Sequence, residues 1–431
     1  MNRHRAPWFY GVIPQRIGAG STISLPPLFI TEVLHGTVGQ VGLASSLTSA
    51  AGVPAAMAWG WLSDRFGSRK LYLALGCLGF GIPTLLMAFS RDMTTFLALT
   101  ILIGALSVVG TPVSSTLIMD TTPKGEWDDA FGRFNQVTGW GMVVGRALGL
   151  LWIGYLTLRL GNEPTQRLLW LLSGLLGCAG ALAVWVMAPR LHRAKPASFR
   201  WQDAARAWRS RRPGRTLRAV GARLAALAPS RFRWREPLGA YYLASLALFT
   251  ASVFAYTPFA VWQRQDLGNS TTLVFLVGMV NSVAATFSYR WVGKRSAARG
   301  SLGVQIAAVA LRIVVFGGFA LLSLLSLRGL AGSAALIIFQ AISGLSWAGI
   351  AVAGNTTVAH LAPKGSEGAA VGAYNSFISI GAIVGALASG YVAQGAGFTF
   401  VFLLGAVGMA ITAFLLILIR RQTRRRHIEH M

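Results

Sequence analysis

Apolar and polar positions along this chain fall into long blocks, with hydrophobic runs separated by short polar turns. A helix rising 1.5 Å per residue needs about 20 apolar residues to cross a hydrocarbon layer. Twelve runs approach or exceed that length, at 8–33, 38–61, 71–89, 95–119, 131–157, 168–188, 238–262, 271–292, 301–327, 330–359, 370–394 and 397–419. Inside a bilayer each backbone N–H and C=O must be bonded within its own segment, so the runs are expected to be helices. The pattern therefore predicts an all-α membrane protein with twelve transmembrane helices.

Composition sharpens this picture. Residues are 54% hydrophobic and only 12% charged, where a soluble domain carries about 25% charged residues. Fifty glycines suit helices that approach closely in lipid. The basic start Met1–Arg5 leads into a first run too long for a signal-peptide core, so it is expected to stay as a spanning helix. Cys77 and Cys178 both sit inside apolar runs and read as small buried hydrophobes, not as a disulfide or metal site. No cofactor is expected.

The net charge of +26 raises nucleic acid as a partner, but its placement argues against that. Of 39 Lys and Arg, 31 lie at the termini or in even-numbered loops, and five (Arg91, Arg159, Arg167, Arg264, Arg328) lie in odd-numbered ones. The positive-inside rule then puts both termini in the cytoplasm, with anionic lipid facing the basic loops. The low lysine content points to a bacterial inner membrane.

The chain repeats itself. At an offset of 240, Gly104, Thr116, Pro123-Lys124-Gly125, Ala130, Gly132, Asn135, Gly141, Val144 and Gly145 match Gly344, Thr356, Pro363-Lys364-Gly365, Ala370, Gly372, Asn375, Gly381, Val384 and Gly385. Two pseudo-symmetric six-helix bundles are expected, at 1–190 and 237–420. Between them lies a basic loop, 191–236, in which Trp201, Ala205 and Trp208 have helical spacing. That segment reads either as a short interfacial helix or as a solvated linker. A basic tail, 421–431, follows.

One turn stands out: Gly60-Trp61-Leu62-Ser63-Asp64-Arg65-Phe66-Gly67-Ser68-Arg69-Lys70. The pattern Gly-x-Leu-Ser-Asp-Arg-x-Gly followed by basic residues resembles the loop between helices two and three of the major facilitator superfamily. These are secondary transporters of small solutes that work by alternating access. The resemblance implies a cytoplasmic latch formed by Gly60, Asp64, Arg65, Gly67 and Arg69. The family's basic residue after the second glycine is Ser68 here, which leaves Asp120, at the inner end of span four, as a partner for Arg69. At offset 230 the turn has an echo in Trp291, Arg295 and Arg299, with Lys294 in place of the acid. Gly141, Gly145 and Gly149, with Gly381 and Gly385, form packing stripes expected at the interface of the halves. The Gly141 stretch also resembles the family's antiporter motif, except that Arg146 stands where that motif has proline.

Charge inside the membrane is costly and marks function. Only Arg16, Arg146 and Arg312 fall well inside spans, and none of the 13 carboxylates does. Arg16 and Arg146 are expected to bind substrate, while Arg312 is expected to be held by carbonyls or a polar neighbour. Other cavity candidates are Gln15, Asn135, Tyr256, Asn281, Trp347, Asn355 and Asn375. Arginines without acids favour an organic anion or zwitterion as substrate, with or without a coupling ion. A lipophilic drug exporter is the alternative within the class, and a transporter-like receptor or scaffold the alternative outside it. No Gly-x-x-x-x-Gly-Lys-Ser/Thr loop is present, and no convergent catalytic cluster suggests an enzyme. A monomer is expected.

Overall fold

The computed structural model describes residues 8–66, 68–122, 127–189, 236–362 and 367–429. Those residues form helices in the predicted order, here counted 1 to 12. Helix 1 comprises Trp8–Gly11, Ile13–Thr22, Leu25–Leu28 and a π-helical turn, Phe29–Val33. Helices 2 and 3 are Val38–Phe66 and Arg69–Met87, and helix 4 has two pieces, Met93–Ser107 and Gly110–Thr121. Helices 5 and 6 are Trp127–Leu160 and Asn162–Met187. Helix 7 joins Pro237–Tyr256 to Phe259–Gln265. Helices 8 to 12 are Thr271–Arg299, Ser301–Leu324, Gly329–Leu361, Glu367–Ala396 and Phe398–Glu429. Among the described residues, nine helices are long and apolar enough to cross a membrane, and Met93–Ser107 is a shorter apolar helix.

Local chemistry sets the boundaries. Asp92 accepts the Thr95 N–H at 2.8 Å to start helix 4, and Ser270 accepts the Leu273 N–H at 3.2 Å to start helix 8. Gly161 and Gly397, at φ 82° and 84°, make the matching tight turns before helices 6 and 12, where a side chain would be strained.

Three expectations change. The first run is not one rod, because Pro14 opens one new helical segment in its first turn and the Pro26-Pro27 pair opens another. Helix 7 breaks at Thr257–Pro258 for the same reason. Pro258 cannot donate to the Phe254 carbonyl, and the buried Ser389 hydroxyl of helix 11 donates to it instead, at 2.5 Å. The charged turn Gly60–Lys70 is mostly helix: helix 2 continues to Phe66 and helix 3 resumes at Arg69. In the tail, helix 12 runs on to Glu429.

The packing scheme is itself a repeat. Helix 1 packs on 5 and 6, 2 on 4, and 3 on 4 and 6; helix 7 packs on 11 and 12, 8 on 10, and 9 on 10 and 12. Adding six to each member of the first set gives the second. Between the halves, helix 2 runs along helix 11, and helix 5 along helix 8, which are again equivalent pairs. The glycine stripes serve mainly the pairs within each half and not, as expected, the interface between halves, which among them only Gly149 also reaches. A Cβ on Gly145 would stand 2.1 Å from the Ile17 carbonyl oxygen, and one on Gly385 would stand 2.4 Å from that of Thr250. Gly141 likewise faces helix 1 and Gly381 faces helix 7, while Gly149 faces both helix 1 and Phe275 of helix 8, across the halves. Helices 1 and 5, and 7 and 11, are thus in backbone contact.

Candidate functional site

Helix 1 carries Gln15 and Arg16 on the segment that Pro14 initiates. Both line a cavity of about 530 Å³. Its wall comes from helices 1 to 4, closed by Phe134 of helix 5 and by Ile378, Ser379 and Ala382 of helix 11. Gly141 makes room for the arginine stem, since a Cβ there would lie 2.9 Å from the Arg16 Cβ. The lining mixes apolar surface with small polar groups: Thr48, Ser49, Cys77, Ser107, Ser114 and Ser379. No carboxylate lines it among the described residues. The Arg16 Nε is buried without a hydrogen-bond partner. A partly buried guanidinium with an unused donor is a strong anchor for a carboxylate, phosphate or carbonyl oxygen.

Arg146 does not join Arg16 in this cavity. Its Nη1 donates to the Gly278 carbonyl of helix 8, so it ties the two halves together, and its Nε is also buried and unpaired. Gly278 permits this approach: a Cβ there would meet that Nη1 at 2.9 Å. In this conformation Arg146 is a cross-half strut.

Three candidates gather instead around Arg312, in the core of the second half. Its Nη1 donates to the Ser252 hydroxyl at 3.2 Å, and its Nη2 lies 3.4 Å from that of Ser343. Its guanidinium sits 5.4 Å from the Tyr256 ring centre and 5.6 Å from that of Trp347. Tyr256 hydrogen-bonds Ser343, and Asn281 donates to the Gln340 side-chain oxygen at 3.0 Å. Arg312 is thus held by polar neighbours, and the cluster is separate from the Arg16 cavity. Asn135 and Asn375 are exposed at equivalent places on helices 5 and 11. Gly67, the side chains of Asp64, Arg65, Asp120 and Asn355, and the surroundings of Gly60 lie outside the described residues, as do residues 190–235. Arg69 is almost fully buried.

One element was missed in the sequence. Glu32, at the end of helix 1, accepts from the Arg264 Nε of helix 7 and from the Gln166 Nε2 of helix 6 at 2.8 Å. The Arg264 Nη1 also donates to the Asn269 carbonyl at 2.6 Å. This ion pair crosses the halves at the end opposite the termini. The available signal was the repeat, because Glu32 and Arg264 close spans one and seven, which are equivalent. Other cross-half approaches lie in the same half of the molecule: Ser46 donates to the Ile383 carbonyl at 3.2 Å, and Cβ atoms on Gly42 and Gly390 would press on the Ala386 and Val38 carbonyls at 2.4 and 2.6 Å.

Two helical bundles thus meet through equivalent helix pairs, with the Arg16 cavity beside that seam. The sequence matches a known family model, the Major Facilitator Superfamily, over residues 11–331 and 309–430. The chain belongs to the Major Facilitator Superfamily. Members of this family are membrane transporters, not enzymes. The multidrug resistance protein MdtG of Yersinia enterocolitica is 33% identical over 155 residues, 34% of this chain and 36% of the relative. The puromycin resistance protein pur8 of Streptomyces alboniger is 35% identical over 123 residues, 28% of this chain and 23% of the relative. The matched part spans about a third or less of these relatives' length. Solved structures share the fold at low identity. The nucleoside transporter NupG aligns with a TM-score of 0.70 at 14% identity, covering 97% of this chain and 99% of that one. Tetrameric PepTSo2 aligns with a TM-score of 0.73 at 16% identity, covering 99% and 100%.

Proposed function

We propose that this transporter moves a small organic anion or zwitterion by alternating access, with Arg16 as the anchor for its negative group. One observation carries the reading: a cavity with no carboxylate among its described lining residues holds a guanidinium whose buried Nε has no hydrogen-bond partner. The small hydroxyls around it would orient the solute, and the apolar wall would take its carbon skeleton. Among the described residues, the cross-half ion pair and the closest glycine contacts lie in the part away from the termini. With the termini in the cytoplasm, as the charge distribution indicates, that end is the outer gate, closed in this conformation. The boundary at Ile378, Ser379 and Ala382 supports a site at the seam between halves, where rocking would change its exposure.

A second reading is favoured by the relatives, two of which bear the names of multidrug and puromycin resistance proteins. A lipophilic drug exporter would use the same cavity through its apolar wall. A thermal-shift screen on purified protein, paired with Arg16→Ala, separates the two. Stabilisation by organic anions that vanishes in Arg16→Ala is expected. Stabilisation by uncharged lipophiles alone, unchanged in Arg16→Ala, would overturn the anion reading. Solute counterflow in proteoliposomes tests transport itself, and ligand binding without flux would favour a receptor.

A further inference from the structure

The echo of the charged turn in the second half has lost its acid and has no part in the transport site. It lines a different feature. Trp291, Val292 and Arg295 of helix 8 border a groove of about 360 Å³, floored by Val304, Ala307 and Leu311 of helix 9 and Leu345 of helix 10, with Arg420 of helix 12 at its side. The groove lies near the terminal ends of helices 8 and 12 and the first turns of helix 9. Trp291, Arg295, Ala307 and Arg420 are exposed, so in a membrane its mouth faces lipid at the level of the headgroups.

The charges at this mouth are both positive. Arg295 stacks its guanidinium 5.5 Å from the Trp291 ring centre, and neither it nor Arg420 forms an ion pair among the described residues. Gly303 provides the shelf between them: a Cβ there would lie 3.6 Å from the Arg420 Nη2. Two guanidinium forks over an apolar trough complement a phosphodiester that carries acyl chains. A soluble anion would leave the trough exposed, and a neutral lipid would leave the positive charges unmatched. The neighbouring tryptophan suits the headgroup level of a membrane interface.

We propose that this groove is a binding site for an anionic phospholipid, with the headgroup phosphate on Arg295 and Arg420 and an acyl chain along Val304, Ala307 and Leu311. The duplicated turn would then have diverged, its first copy keeping the latch acid and its second holding lipid.

Native mass spectrometry of the purified protein tests this, using phosphatidylglycerol and phosphatidylcholine of identical acyl chains. Wild type is expected to retain phosphatidylglycerol several-fold better. Arg295→Ala/Arg420→Ala should bring that ratio close to one, and Arg295→Lys/Arg420→Lys should keep part of it. Ala307→Phe, which fills the trough, should weaken phosphatidylglycerol retention with both arginines in place. Equal retention of the two lipids by wild type, or a ratio unchanged in the double alanine variant, would overturn the proposal. Glycerol 3-phosphate binding as tightly as the lipid and indifferent to Ala307→Phe would assign the arginines to a soluble phosphate, and would equally overturn it. All substituted side chains are exposed, so helical content and monodispersity should match wild type.

Discussion

The ion pair between Glu32 and Arg264 closes the end of the molecule away from the termini, and Glu32→Gln isolates its charge. Glutamine keeps the shape and can still accept one hydrogen bond, but the charge-assisted contact is lost. Such a bond contributes about 1.5–3 kcal/mol when well shielded. Here the two side chains are 26% and 18% exposed, so water and salt screen the pair and about 1–2 kcal/mol is the reasonable expectation. The pair forms only when this end is closed, so its loss acts on one conformation and shifts the open-to-closed ratio by about 5- to 30-fold. Spin labels at the exposed positions His35 and Ser270, on opposite sides of the seam, would report this by pulsed dipolar spectroscopy in a background lacking Cys77 and Cys178. Glu32→Gln should add a longer-distance population, and Arg264→Ala should add a larger one, since it leaves a half-buried carboxylate with only Gln166. The two effects should not sum in the double variant, because they remove one interaction. Distance distributions identical to wild type in both single variants would refute the latch.

Three further outcomes follow from the packing and the charges. Gly145→Ala places a Cβ against the helix 1 backbone and should destabilise the folded protein by about 1–3 kcal/mol, read as a lowered Tm in detergent; Gly317→Ala, with nothing within 4 Å of its Cβ, should be neutral or slightly stabilising. Ser389→Ala orphans the buried Phe254 carbonyl and should cost about 1–3 kcal/mol in the same assay. Burial pushes the Asp266 carboxyl up, opposed in part by the Ser323 hydroxyl and by Arg328. The native state therefore holds that proton to higher pH than the unfolded chain does, and stability falls as pH rises from the ordinary carboxylate range through the raised value. Asp266→Asn should raise Tm at neutral pH, and its advantage should shrink as pH falls through that window.

The helix count, order and repeat were legible in the sequence because each rests on many residues. Twelve apolar runs and an ungapped register of identities average over local exceptions. The breaks were less legible. Pro14 and Pro258 were visible, but whether a proline kinks or ends a membrane helix depends on who takes the freed carbonyl, and for Pro258 that partner, Ser389, lies 131 positions away from it. Intramembrane charge found Arg16, whose cavity is built largely from its own half. It could not separate Arg16 from Arg146, because the partner of Arg146 is a backbone carbonyl, and carbonyls leave no mark in a sequence. Glu32 and Arg264 were passed over because residues near span ends look like ordinary topology charges until two of them meet across the seam.

The glycine contacts between helices 2 and 11 have a kinetic consequence. Where Gly42 and Gly390 lie on opposing carbonyls, the contact is backbone against backbone, with the Tyr391 and Gln394 side chains packing only over neighbouring Gly39, so few rotamers have to change for the halves to part there. The surface sets where the halves come to rest but adds little to the barrier for leaving. The time spent closed would then be set by a few discrete bonds, the Glu32 pair, the Arg146 strut and the Ser46 hydrogen bond, and each can be adjusted by a single substitution without remaking the surface that guides the motion.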